Sequence, residues 1–181
     1  MIIKSEKIIL LGKSGSGKDF LMRKLVEKGL EPGIKWTTRP SRNHELQGIT
    51  YHFVDYDTFQ SSIDTNQFIC YQKFEVIPEG KSPEVWYYGL TQEEFEKSQI
   101  FIMTPGEFIK LTEEQRKGCF IVYLDISRDV RESRLFRRQD KNDSVLRRLD
   151  SDEEDFKFFS DYDLKICDPD FTAEDVYDLM D

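Results

Sequence analysis

Short, wholly apolar runs recur along the chain, separated by longer stretches of mixed polarity. Ile8-Ile9-Leu10-Leu11, Ile100-Phe101-Ile102-Met103 and Phe120-Ile121-Val122-Tyr123-Leu124 are such runs. Continuous apolarity over so few residues predicts strands buried on both faces. Phe20 to Val26 carries helical spacing. Thr91 before Gln92-Glu93-Glu94 reads as an N-cap with an acidic first turn, which starts a helix. Pro105 opens another, to about Leu111 or slightly beyond. Ser127 caps a helix reaching Arg138, and a second helix runs from about Ser144 to Phe159 after a polar break at 140–144. A strand at Asp163 to Cys167 and a helix from Thr172 to Met180 close the pattern. Strands alternating with helices predict a parallel sheet covered on both faces. Ligands of such sheets sit at the carboxyl ends of the strands.

The middle of the chain reads differently. Ile34 begins a strand that runs into a loop at Arg39-Pro40, since proline holds its predecessor extended. Gly48 to Val54 alternates like a strand, and Asp55 or Asp57 caps a helix to about Ile63. Strands follow at Phe68 to Phe74 and Val85 to Leu90, around a loop containing Pro78, Gly80 and Pro83. Short strands with frequent turns predict a lid-like insertion in the βα framework.

The first strand leads into Gly12-Lys13-Ser14-Gly15-Ser16-Gly17-Lys18-Asp19, and the first helix continues from Phe20. Strand, glycine-rich turn and helix in that order are what a phosphate-binding loop requires. The glycines allow the backbone to turn its N–H groups inward around a phosphate, and the helix N-terminus adds partial positive charge. Lys18 then reaches the outer phosphates. The expected cofactor site comprises Gly12, Ser14, Gly15, Ser16, Gly17, Lys18, Asp19 and Phe20. The pattern GxxxxGK[ST] is met except at its last place. Asp19 stands where a hydroxyl would touch magnesium, and a carboxylate suits that hard cation. Asp19 is therefore the expected metal ligand.

Composition narrows the partners. The chain has 181 residues, 34% charged and 38% hydrophobic, with a formal charge of −9. The acidic balance argues against nucleic acid as a broad partner, and no apolar run is long enough for a membrane span. Met1-Ile2-Ile3-Lys4 leads directly towards the first strand, so no signal peptide is expected. Cys70, Cys119 and Cys167 lack metal-type spacing. Cys119 and Cys167 are expected to be buried thiols, which fits a cytoplasmic protein. Arginines gather at 39–42 and at 128–148 despite the overall acidity. Local arginine clusters suit small, heavily charged anions.

Together these segments resemble the guanylate kinase family over nearly the whole chain. The resemblance rests on GKSGSGKD, TTRPSRNHE, GITYHFV, WYYGLT, RESRLFRR, RRLDSDEEDF and FSDYDLKI, in that order. It implies a P-loop NTPase three-layer α/β fold with a parallel central sheet, an inserted small domain and a helical lid. The implied bounds are a core of 1–33, 91–135 and 148–181, a nucleoside-monophosphate-binding insertion at 34–90 and a lid at 136–147. It implies ATP with Mg2+, and transfer of the γ-phosphoryl group to a nucleoside 5′-monophosphate, GMP or dGMP foremost. Lys18, Arg134, Arg138 and Arg148 are the implied catalytic residues. Arg39, Arg42, Glu45, Tyr51, Cys70, Tyr88 and Gly89 are the implied acceptor-binding residues.

The base-reading positions depart from that family. Its guanine-binding carboxylate corresponds to Cys70 here, and a second acid is missing from Ile102-Met103-Thr104-Pro105-Gly106. A thiol cannot accept two N–H bonds as a carboxylate does. Glu75, Glu79 and Glu84 are candidate replacements. Two further readings stay open: a ribose 1,5-bisphosphate phosphokinase, which needs no base pocket, and a non-catalytic binding module. Gly17 and Lys18, both intact, weigh against the module.

Overall fold

A computed structural model describes residues 6–42, 45–76, 82–138 and 144–179, the Arg138 side chain excepted. The main sheet contains β1 (Lys7–Gly12), β6 (Ile100–Ile102), β7 (Cys119–Leu124) and β8 (Leu164–Ile166). Its order is β6-β1-β7-β8, and all three pairings are parallel. The period-two alternation of β1 divides the core into two layers. Ile8 and Leu10 pack with Leu21 and Leu25 of α1 (Lys18–Glu27) and Val176 of α8 (Glu174–Tyr177). Ile9 and Leu11 pack on the opposite face with Phe95 of α3 (Gln92–Lys97), Phe108 of α4 (Pro105–Phe108) and Phe156 of α7 (Val145–Phe156). Each such side chain, once buried, contributes roughly 1.5–3 kcal/mol. This two-sided burial explains why the strands read as unbroken apolar runs.

A second sheet carries β2 (Trp36–Thr37), β3 (His52–Phe53), β4 (Phe68–Val76) and β5 (Glu84–Thr91) in the order β3-β2-β5-β4. One face is sealed by α2 (Tyr56–Asp64), which Asp55 caps by accepting from the Thr58 N–H. Phe59 of α2 stacks on Phe68 with centroids 4.5 Å apart and leans on Tyr87. Gly89 is buried on this side. A Cβ there would lie 2.7 Å from the Phe68 ring and 2.9 Å from Phe59. The opposite face carries Gln72, Phe74 and Tyr88 and bounds a cleft.

Four expectations need correction. Gly48 to Thr50 form a turn rather than a strand: Gly48 has φ +71°, and the Ile49 and Thr50 N–H groups both bond the Leu46 carbonyl. Only His52–Phe53, paired with Trp36–Thr37, retains strand geometry. The helix opening at Pro105 stops at Phe108, because Thr112 starts a separate one, α5 (Glu113–Lys117), with its own capping box. The helix after Thr172 is likewise confined to Glu174–Tyr177. Cys167 is exposed. It follows Ile166, and strand alternation that buries Ile166 turns its neighbour outward.

Candidate active site

The glycine-rich loop leaves β1 beside the end of β7, where Gly12 pairs with Leu124. Gly15 and Gly17 have φ of +78° and +105°, which only glycine adopts without strain. Gly17 is also the N-cap of α1 and supplies no side-chain cap. The first-turn N–H groups of that helix are therefore open to an anion. Ser16 is fully buried, and its Oγ finds no hydrogen-bond partner among the described residues. A ligand or ordered water commonly completes such a group. The Lys18 ammonium donates to the Gly12 and Lys13 carbonyls and so lies along the loop. Asp19 and Phe20 are exposed at the start of α1.

Two helices buttress this loop. Arg131 of α6 (Arg128–Arg138) is 1% exposed. Its guanidinium donates to the Ile126 carbonyl, the Ser14 carbonyl and the Glu153 carboxylate. From α7, Glu153 also receives Lys13, and Asp152 accepts the Ser14 N–H at 2.7 Å. Burial alone raises the Glu153 pKa, but the Lys13 hydrogen bond and the Lys13 and Arg131 charges outweigh it and hold the carboxyl below its usual range. Arg134 bridges the Gly15, Ser16 and Pro169 carbonyls. Arg148 is half-buried on α7. The Arg138 side chain and residues 139–143 of the expected lid lie outside the described residues. Arg128 pairs with Asp150 on an exposed surface, and Arg137 and Arg147 are exposed. Arg131 falls within the arginine cluster at 128–148, but its burial beneath the loop has no sequence signal.

Across the cleft, Arg39 is 4% exposed. It donates to the Tyr88 hydroxyl at 3.1 Å and to Glu45 at 2.7 Å. Glu45 also accepts the Arg42 N–H. Burial works against the Glu45 carboxylate, but the Arg39 hydrogen bond, the Arg42 N–H and both charges hold its pKa below the usual range. The Tyr51 ring stands edge-on to Tyr88 at 5.9 Å, with the Arg39 guanidinium 5.4 Å from its centroid. Burial first, then the Tyr88 and Asp19 charges, push the Tyr51 phenol up and keep it neutral. Thus Arg39, Glu45, Tyr51 and Tyr88 converge, and the Arg42 backbone joins them.

The remaining acceptor candidates do other work. Cys70 is 2% exposed inside the apolar core, and desolvation pushes its thiol up to about 12. It is a buried neutral thiol and offers a base no acceptor pair. Gly89 meets a packing demand, as above. Glu84 accepts the Trp86 indole N–H, and Glu75 is exposed on the opposite face of β4 from Gln72 and Phe74. Glu79 lies outside the described residues. In place of an acid, Gln72 enters the cleft and accepts from the Thr104 hydroxyl at 2.7 Å. Residue identity pointed away from Cys70, but nothing local pointed towards Gln72.

Comparisons with known proteins agree with this geometry. The guanylate kinase family model matches residues 4–180. A guanylate kinase from Histophilus somni (strain 129Pt) is 30% identical over 176 residues, spanning 90% of this chain and 80% of that protein. One from Nostoc sp. is 28% identical over 182 residues, spanning 94% and 86%. The crystal structure of guanylate kinase from Anaplasma phagocytophilum superposes with a TM-score of 0.67 at 19% identity, covering 99% of this chain and 86% of that one. At that identity the superposition speaks for the fold.

Proposed function

Because the chain belongs to the guanylate kinase family, we propose that it transfers the γ-phosphoryl group of ATP to a nucleoside 5′-monophosphate, GMP or dGMP foremost. The observation that carries this reading is the pairing of two anion sites of different construction. One is a lysine-bearing backbone loop at an uncapped helix end; the other is a buried arginine held among tyrosines and a glutamate.

Phosphoryl transfer asks the protein for alignment, charge neutralisation and exclusion of water. The Ser14 to Lys18 backbone and the open first turn of α1 hold the donor phosphates. Lys18 exchanges its loop carbonyls for phosphate oxygens. Arg39 and Arg42, with the hydroxyls of Tyr51 and Tyr88, hold the acceptor phosphate. Glu45 keeps the Arg39 fork oriented. Arg134, Arg138 and Arg148 neutralise the transferring group. No side-chain base is required, since the acceptor is already an anionic phosphate.

Magnesium fits the residues present in a limited way. Among the described residues no cluster of three acidic, histidine or cysteine side chains could cage a metal. Mg2+ in phosphotransfer sites commonly rests on one or two carboxylates plus substrate phosphates, and Asp19 is an exposed carboxylate at the loop. Asp19 would hold it, and the ion would supply neutralisation of the donor phosphate oxygens.

The deciding experiment is a coupled ADP-release assay over all ribo- and deoxyribonucleoside monophosphates and ribose 1,5-bisphosphate. Turnover with GMP or dGMP supports the reading. Turnover with the bisphosphate alone, or none at all, overturns it.

A further inference from the structure

The acceptor cleft has a polar group that the phosphate-binding residues leave unused. On the cleft face of β4 and β5, Gln72 pairs directly across from Tyr88. Directly opposed side chains on one face lie about 4.5–5.5 Å apart at Cβ. Gln72 is thus the neighbour of the tyrosine that touches Arg39. Phe74, two residues along on the same face, stands edge-on to Tyr88 with centroids 5.6 Å apart. From this row a cleft of about 1010 Å³ extends, lined by Gln72, Phe74, Thr104, Gly106, Glu154 and Asp155 among others. Gln72 and Phe74 line this cleft and also flank Tyr88, whose hydroxyl takes the Arg39 guanidinium.

The Gln72 carboxamide is held in place. Its Oε1 accepts from Thr104 Oγ1, and Thr104 is itself fixed as the N-cap of α4. Gly106 lets the amide approach: a Cβ there would lie 1.9 Å from Nε2. The adjacent acid, Glu107, is 1% exposed. Both its oxygens receive Lys35, and Oε2 also takes the Thr104 N–H. Buried and already paired with Lys35, it is withheld from a ligand in the cleft. Cys70 and Leu90, paired one step deeper, are buried and apolar.

Resting on the kinase reading above, we infer that Gln72 reads the acceptor base, and that it accepts more than guanine. The argument is one of donor and acceptor matching. A carboxylate is acceptor-only and complements the two adjacent donors of guanine, N1–H and N2–H. A carboxamide presents one acceptor and one donor side by side. Each of the four common bases has an adjacent donor and acceptor on its pairing edge, so a carboxamide rejects none of them outright. A site that leaves a buried polar group unmatched discriminates by about 10⁴–10⁵-fold, whereas a site that matches all comers does not.

The test measures kcat/KM for GMP, AMP, CMP and UMP in the intact chain and in four variants. In the unaltered chain GMP is expected to lead, with the other three following within about tenfold. Gln72→Glu should raise the GMP-to-AMP ratio at least tenfold, with the KM for ATP unmoved. Gln72→Met, apolar and similar in size, should raise the KM for all four acceptors together and leave their ratios alone. Thr104→Val, which releases the amide, should act in the same direction but less. A GMP preference above about 10³ in the unaltered chain, or ratios that Gln72→Glu does not move, overturns the inference. So does a GMP preference that disappears in Asp155→Asn, since the reader would then be the acid on the opposite wall. Absence of turnover with every monophosphate overturns the kinase reading and this inference with it; turnover with unmoved ratios overturns the inference alone.

Discussion

The two proposed anion sites, donor and acceptor, are built on opposite plans. The donor side is a backbone device. Its donors are peptide N–H groups, its shape comes from glycines at positive φ, and charged side chains of α6 and α7 act mainly as struts beneath it. The acceptor side is a side-chain device. Arg39 and Glu45 share the stretch after β2, while Tyr51 and Tyr88 are brought to them by the register of β2, β3 and β5. A backbone device can be recognised in a continuous octapeptide. A side-chain device takes shape only once strands are paired.

That contrast can be broken at several points. The largest effect is expected from Lys18→Ala, since the lysine is the one side chain the backbone device itself requires. Loss of a preorganised charge at the transferring group should lower kcat by about 10²–10³-fold, read by the ADP-release assay, with the fold intact by circular dichroism. An unchanged kcat would show the lysine to be only a loop brace. Next is Arg39→Ala. It removes a buried fork and should raise the acceptor KM by about 10²-fold while the ATP KM stays within about twofold. Equal effects on both substrates would deny that the two sites are separate.

Gly15→Ala probes the strut itself. Its Cβ would lie 2.8 Å from the Arg131 carbonyl oxygen, in a backbone conformation that alanine resists. The variant should lose about 1–3 kcal/mol of stability in urea titration, so a neutral result would mean that α6 is free to retreat. Acid titration compares the sites through their carboxylates. Glu45 and Glu153 both have lowered folded-state pKa values. The stability they contribute is complete above the ordinary glutamate range and disappears as pH falls through the lowered values. Glu45→Gln should flatten that acid limb of the unfolding curve, and an unaltered limb would place the lost stability elsewhere. The smallest effect is expected from Asp152→Asn. Removing a partly exposed carboxylate from the Ser14 N–H should tighten ATP by about two- to fivefold in calorimetry. Weaker binding would mean that Asp152 shapes the loop instead of competing with the nucleotide.

The sequence alone determined the donor side and the main sheet. Continuous apolar runs identify β1, β6 and β7, because a parallel strand covered on both faces leaves no polar position. Gly12 to Lys18 identify the loop, because the conformation is encoded in the residues that adopt it. The resemblance then supplied Arg39, Glu45, Tyr51 and Tyr88, which lie together in the folded chain. Tertiary structure alone decided the rest. Arg131 looks like any arginine on a helix face until α6 packs under the loop. Cys167 looked buried until alternation turned it outward. Gln72 has no local mark at all: it becomes a candidate only when β4 pairs with β5 beside Tyr88 and Thr104 closes on its amide. Short-range pattern encodes elements and loops because their interactions lie within a few residues. The cleft depends on contacts between residues 32 and 49 positions apart, and those exist only in the folded chain.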